Sequence, residues 1–219
     1  MNTFSQLADP ALSPWFGQRL YERRGKRALD FLAILLLLPI ILPLVLILGA
    51  FVMLDGRGPF YSQMRVGRSG REFRMWKLRT MVPDADARLA SALDICPATR
   101  AEWDRDQKLA DDPRITPLGR FLRRTSLDEL PQLLNVMLGD MSLVGPRPML
   151  PSQRDIYPGH AYYRLRPGLT GSWQISDRNR TPFAARAEFD LAYERALSAG
   201  LDLRILLATT GVVLRATGR

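Results

Sequence analysis

The chain has 219 residues, with 31 Lys and Arg against 22 Asp and Glu and a formal charge of +9. That length holds one core domain with an appendage, and the charge favours an anionic partner: nucleic acid, anionic lipid or a phosphorylated substrate. A single cysteine, Cys96, excludes an internal disulfide and a cysteine-rich zinc site; a single histidine, His160, leaves acid–base chemistry to Asp, Glu, Lys and Arg.

In chain order, residues 1–17, with Pro10 and Pro14, read as a weakly ordered tail. Residues 18–30 read as a basic helical segment suited to anionic headgroups. Phe31 to Leu54 then carries no charged residue. As a straight helix it would reach about 36 Å, enough to cross a hydrocarbon core of roughly 30 Å. It is too long and too late for a cleaved signal peptide. The simple reading is therefore one transmembrane helix.

Two features oppose that reading. Pro39 and Pro43 each remove a backbone donor near the middle of the run. Arms of about 12 and 16 Å would remain, each too short to span. Basic residues also flank both ends, Arg19 to Arg27 before and Arg57 to Arg79 after, so a spanning helix would send one basic flank across the membrane. A re-entrant helix–break–helix keeps both flanks on the cytoplasmic side. Residues 18–55 thus form a juxtamembrane and membrane unit, followed by a compact cytoplasmic domain over 56–219.

Within that domain, Pro59–Met64 and Glu72–Thr80 read as short strands joined through Gly67-Arg68-Ser69-Gly70. Ala85–Leu109 is a charged helical segment interrupted at Pro97, and Ile115–Arg124 leads into Thr125-Ser126-Leu127-Asp128-Glu129-Leu130-Pro131-Gln132. Thr181-Pro182 is a helix start, with helices expected over Phe183–Ser198 and Leu201–Leu214. The fold class is α-rich α+β.

Asp128 and Glu129 admit two readings. Ser126 and Glu129 have capping-box spacing, with Ser126 as N-cap and Asp128 merely complementing the helix dipole. Alternatively, ionised carboxylates beside Arg123, Arg124 and Arg147 suit metal-assisted phosphoryl chemistry, with the arginines forking onto phosphate oxygens. Pro146 and Pro148 stiffen the backbone carrying Arg147, and Gly139 and Gly145 permit tight turns. A third block, Arg164–Gln174 followed by Ser176–Arg180, has the Pro and Gly content of an irregular loop. Trp76, Trp103 and Trp173 read as packing residues, and His160 as a loop residue without a catalytic role.

Taken together, Lys26–Phe31, the proline-broken apolar run, Phe73–Met81, Asp112–Thr116, Ser126–Gln132, Gly139–Pro148 and Arg166–Gly171 resemble the bacterial sugar transferase family of monotopic polyprenyl-phosphate phosphoglycosyl transferases. The resemblance covers about Lys26 to Leu214. It implies transfer of a hexose-1-phosphate from a UDP-sugar to polyprenyl (undecaprenyl) phosphate, releasing UMP, at the cytoplasmic face of the bacterial inner membrane. It implies magnesium and an Asp-Glu dyad. Asp128 would be the nucleophile forming a covalent phospho-sugar intermediate, and Glu129, with Asp128, would hold the metal. Lys77, Arg123, Arg147 and Arg178 would contact phosphate or substrate, and Asp190 and Asp202 would support the site. Pro39 and Pro43 mark the membrane break, where Leu42 stands in place of the serine common in the family. Asp177 stands where a glycine is common. The closest character is that of exopolysaccharide-initiating members using UDP-galactose or UDP-glucose. The competing classes are a membrane-anchored nucleic-acid-binding module, for which the chain lacks a recognition motif, and a non-catalytic scaffold. The sequence leaves the oligomeric state open.

Overall fold

A computed structural model of the chain describes residues 20–54, 58–106, 109–176 and 182–214. The expected tail over 1–17 and the basic contact Arg178 lie outside the described residues. A π-helical turn, Tyr21–Gly25, runs into α1, Lys26–Met53. Helical structure continues through both Pro39 and Pro43. Each proline still removes one intrahelical hydrogen bond, at the carbonyls of Leu35 and Pro39.

One stripe of α1 faces the protein along its whole length. Lys26, Asp30, Ile34, Leu48, Gly49 and Val52 are buried, and Leu38, Ile41 and Val45 are half-buried between them. That is the three-to-four spacing of a single helical face. Ile34 joins the main core with Val136, Met141 and Leu143, while Leu48 and Val52 pack with Leu78 and Leu122. The opposite face is apolar and bare, with Leu36 79% and Ile40 70% exposed. Both ends of α1 therefore rest on the same globular body.

Polar contacts pin the N-terminal end. Lys26 Nζ lies 2.6 Å from Asp202 Oδ2, whose carboxylate also accepts from Tyr193 and Tyr21. Arg27 donates to the carbonyls of Val136 and Met137. Asp30 accepts the Leu143 N–H at 3.0 Å.

The expected hairpin forms from β1, Phe60–Val66, and β2, Glu72–Leu78, antiparallel with Phe60 opposite Leu78 and Val66 opposite Glu72. Phe73 and Met75 alternate inward along β2, the period-two pattern of a half-buried strand. The helical segment breaks at Pro97 into α2, Ala85–Ile95, and α3, Pro97–Asp106. Next come α4, Pro117–Thr125, capped by Thr116, and α5, Gln132–Leu138, closed by Gly139 at φ 92°. The later helices are α6, Ala161–Arg164; α7, Ser172–Ile175; α8, Arg186–Arg195; and α9, Ala199–Leu214. Phe183–Ala185 is a 3-10 turn before α8, and Thr181 lies outside the described residues.

Part of the block expected as irregular loop is a strand. Gly168–Thr170 (β4) pairs in parallel with Ser142–Val144 (β3). Three residues are too few to show an alternating pattern. Close approach, not periodicity, is what these glycines permit: a Cβ on Gly145 would sit 2.3 Å from the Arg166 carbonyl oxygen. The α-rich α+β class stands.

Candidate active site

The acidic pair lies in the link between α4 and α5. Ser126 ends α4 in the left-handed conformation, at φ 58° and ψ 17°, and Leu127–Glu129 is a separate 3-10 turn. Pro131 precedes α5. The capping box does not form: Ser126 makes no side-chain cap bond. A serine at positive φ is uncommon, and here it turns the chain so that Asp128 points inward. Asp128 is buried and Glu129 half-buried.

Lys77 on β2 faces both acids, 2.7 Å from Glu129 Oε1 and 3.6 Å from Asp128 Oδ2. Its place is fixed through Asn135 of α5, a residue absent from the sequence-based site. Asn135 is buried, accepts the Trp76 N–H at 3.1 Å and donates to the Arg74 carbonyl at 2.7 Å. One amide thus ties the strand carrying the lysine to the helix that follows the acids. Arg123 donates from Nε to Thr80 Oγ1 at 2.8 Å, which holds its guanidinium near Asp128.

Burial pushes the Asp128 carboxyl above the ordinary aspartate range, with Lys77 opposing that shift and Glu129 reinforcing it. The sequence-based expectation of an easily ionised carboxylate at a helix N-terminus therefore gives way to a desolvated one. A desolvated carboxylate is poorly hydrated, and Lys77 and Arg123 are the cations that favour its charged form.

These groups line one side of a cleft of about 800 Å³. Arg65, Arg147, Arg186 and Trp173 line it too. Arg147 lies in a loop held to β4: Gly145 N–H bonds to Thr170 O and Gly168 N–H to Pro146 O, both at 2.8 Å. The Arg147 and Arg186 guanidinium carbons lie 5.9 and 4.1 Å from the Trp173 ring centroid. Burial, then the charges of Arg147 and Arg65, lowers the Arg186 pKa to about 10, so it remains a cation at neutral pH. The Arg65 and Arg186 Nε atoms are buried without a hydrogen-bond partner. Three mutually repelling guanidiniums on a cavity wall suit a bound anion.

The sequence reading included Arg147 and missed Arg65 and Arg186. Arg186 opens α8 without a motif around it, and Arg65 is the penultimate residue of β1, one position beyond the expected strand Pro59–Met64. Trp173, read as a packing residue, is the surface on which two of these cations stack.

Asp190 and Asp202 are buried but do not line the cleft. Asp190 accepts from Tyr157 at 2.7 Å, and burial raises its pKa to about 6. Asp202 belongs to the Lys26 and Tyr193 cluster.

The carboxylates of the cleft wall bear on whether magnesium could be held there. Among the described residues no three acidic, histidine or cysteine side chains gather at one point. Magnesium commonly uses one or two carboxylates and completes its shell with water and substrate phosphates. Asp128 and Glu129 fit that pattern.

The model of the bacterial sugar transferase family matches residues 21–216. The chain is 46% identical over 195 residues to the UDP-galactose-lipid carrier transferase of Erwinia amylovora, covering 88% of this chain and 41% of that protein. It is 45% identical over 195 residues to the undecaprenyl-phosphate galactose phosphotransferase of Salmonella typhimurium, with the same 88% and 41% coverage. It is 43% identical over 197 residues to the exopolysaccharide production protein ExoY of Sinorhizobium fredii, covering 89% of this chain and 87% of that protein. The chain thus spans about two fifths of the first two relatives and most of the third.

Proposed function

Because the chain belongs to the bacterial sugar transferase family, we propose that it transfers a hexose-1-phosphate from a UDP-sugar to undecaprenyl phosphate, as an initiating step of exopolysaccharide synthesis. UDP-galactose is favoured by the names of two relatives, and UDP-glucose is the second candidate. The observation that carries the reading is the buried Asp128, with Glu129 beside it and Lys77 between the two, on the wall of an arginine-lined cleft.

The reaction runs as two displacements. An Asp128 carboxylate oxygen attacks the β-phosphorus of the UDP-sugar, and the bond from that phosphorus to the bridging oxygen breaks. UMP leaves with the electron pair, and the sugar phosphate stays on Asp128 as an acyl phosphate. A phosphate oxygen of undecaprenyl phosphate then attacks the same phosphorus, freeing the Asp128 carboxylate and forming the diphosphate-linked product. A carboxylate nucleophile divides one difficult displacement into two easier ones, with ping-pong kinetics.

Lys77 and Arg123 favour the ionised Asp128 and receive the transferred phosphate. Arg65, Arg147 and Arg186 hold the nucleotide phosphate across the cleft, and Arg178 is a further contact. Asp190 and Asp202 support these elements from behind. Magnesium on Glu129 and Asp128 would supply charge neutralisation for the leaving UMP.

The membrane arrangement belongs to the same reading: α1 bends where Pro39 and Pro43 each remove a backbone hydrogen bond, so that both of its ends stay at the cytoplasmic face of the inner membrane. Residues 18–55 form the membrane unit and 56–219 the catalytic domain. Support comes from α1 resting on one body at both ends. A helix crossing the bilayer would carry one end away from a body held on one side.

A panel of UDP-sugars assayed for UMP release, with and without undecaprenyl phosphate, tests the function. One UDP-sugar should give sustained UMP release that needs the lipid phosphate. Absence of lipid-dependent turnover with every sugar would overturn the reading.

A further inference from the structure

A second cavity, of about 400 Å³, lies beside the cleft and differs from it in character. No charged side chain lines it among the described residues. Its long wall is the membrane helix, where Ile34, Ile41 and Val45 face in, and its other wall includes Leu134 of α5. Three connections join it to the site. Phe60 lines both cavities. Leu130 and Pro131, which line the apolar cavity, continue directly from Asp128 and Glu129. Trp76 on the apolar side is the chain neighbour of Lys77 on the polar side, and neighbours along a strand point to opposite faces.

An apolar cavity walled by a membrane helix and opening beside a cationic cleft complements an amphiphile with an anionic head and a hydrocarbon tail. We propose that this cavity holds the isoprene units nearest the phosphate of the lipid acceptor, and so aims that phosphate at the phospho-sugar on Asp128. The inference rests on the acceptor named in the proposed function and adds where its chain lies. Burial of apolar chain contributes about 25 cal/mol per Å² removed from water, so occupancy would favour long acceptors over short ones. Leu134 is 50% and Leu42 also 50% exposed, so each can be enlarged without disturbing the core.

The full chain in lipid nanodiscs supplies the test. With Leu134→Trp and Leu42→Trp, KM for undecaprenyl phosphate should rise about tenfold or more, and the selectivity for it over geranyl phosphate should fall. The exchange of labelled UMP into UDP-sugar, which needs no acceptor, should remain at the wild-type rate. Unchanged KM in both variants, or an equal loss of the exchange step, would overturn the proposal. A second measurement does not depend on turnover: a benzophenone-bearing isoprenyl monophosphate should crosslink to α1 and α5 segments lining the cavity. Labelling elsewhere, or labelling equally suppressed by a phosphatidylethanolamine competitor, would assign the cavity to bilayer lipid and refute the acceptor site. Failure of the proposed function would appear instead as no UMP exchange in the wild type, with the crosslink still readable.

Discussion

Replacing Asp202 with alanine probes how the apolar helix α1 is held to the globular body. The carboxylate lies 2.6 Å from Lys26 Nζ, with side-chain exposures of 1% for Asp202 and 11% for Lys26. It also accepts from the hydroxyls of Tyr193 and Tyr21, both at 2.6 Å. Asp202→Ala strands a buried ammonium and takes the acceptor from two hydroxyls. Removing one partner of a buried ion pair costs about 3–5 kcal/mol, because the other charge is left uncompensated. For a domain of this size each kcal/mol moves Tm by about 2–4 °C, so the apparent Tm should fall by roughly 6–20 °C. Intrinsic fluorescence during heating in nanodiscs reads this directly. The double variant Lys26→Met with Asp202→Leu should regain much of the loss, since neither charge remains. Neither residue lines the cleft, so both variants should keep turnover per folded molecule at low temperature. A fall of under about 2 °C for Asp202→Ala, or a double variant that loses the sum of the singles, would show that the Lys26–Asp202 pair does not hold α1 to the body.

Other outcomes follow from the cleft and its supports. The Asp190 pKa of about 6 exceeds its unfolded value of 3.8, so the folded state binds the proton more tightly. Its contribution to stability is present below about pH 4 and is lost as pH rises to about 6, on the order of 3 kcal/mol. Asp190→Asn should therefore gain Tm relative to the wild type across that window; a difference independent of pH would contradict the assignment. Arg186→Gln should raise KM for the UDP-sugar about 10- to 100-fold, the worth of a charge-assisted hydrogen bond. Its Tm should not drop sharply, because one of three repelling cations is gone; a large drop with unchanged KM would make Arg186 purely structural. Gly145→Ala should lower Tm and turnover together, since its Cβ would lie 2.3 Å from the Arg166 carbonyl oxygen. Wild-type behaviour would show that the Arg147 loop does not depend on this contact.

Sequence patterns revealed the elements governed by local rules. The β1–β2 hairpin was legible from two short runs on either side of Gly67-Arg68-Ser69-Gly70, where Ser69 and Gly70 take positive φ in the structure. The helix break at Pro97 was equally plain. The helical course of α1 through Pro39 and Pro43 was not: neither proline reports how neighbouring turns adjust around the missing bonds. The β3–β4 pair was hidden because its strands are three residues long and join segments far apart in the chain. Within the site, Asp128, Lys77 and Arg123 could be named from motifs. Their supports could not. Asn135 acts through backbone groups of Arg74 and Trp76 about sixty positions away, and Arg65 and Arg186 join Arg147 only once the chain has folded. The capping-box alternative fell for a conformational reason: Ser126 adopts positive φ, which an N-cap does not.

In the proposed two-displacement reaction Asp128 is the nucleophile. The most direct measurement is intact-protein and peptide mass spectrometry after brief exposure to the preferred UDP-sugar without lipid acceptor. A hexose-phosphate adduct is expected on the peptide containing Asp128, discharged by undecaprenyl phosphate and absent in Asp128→Asn. An adduct on another residue, or full turnover by Asp128→Asn, would contradict it.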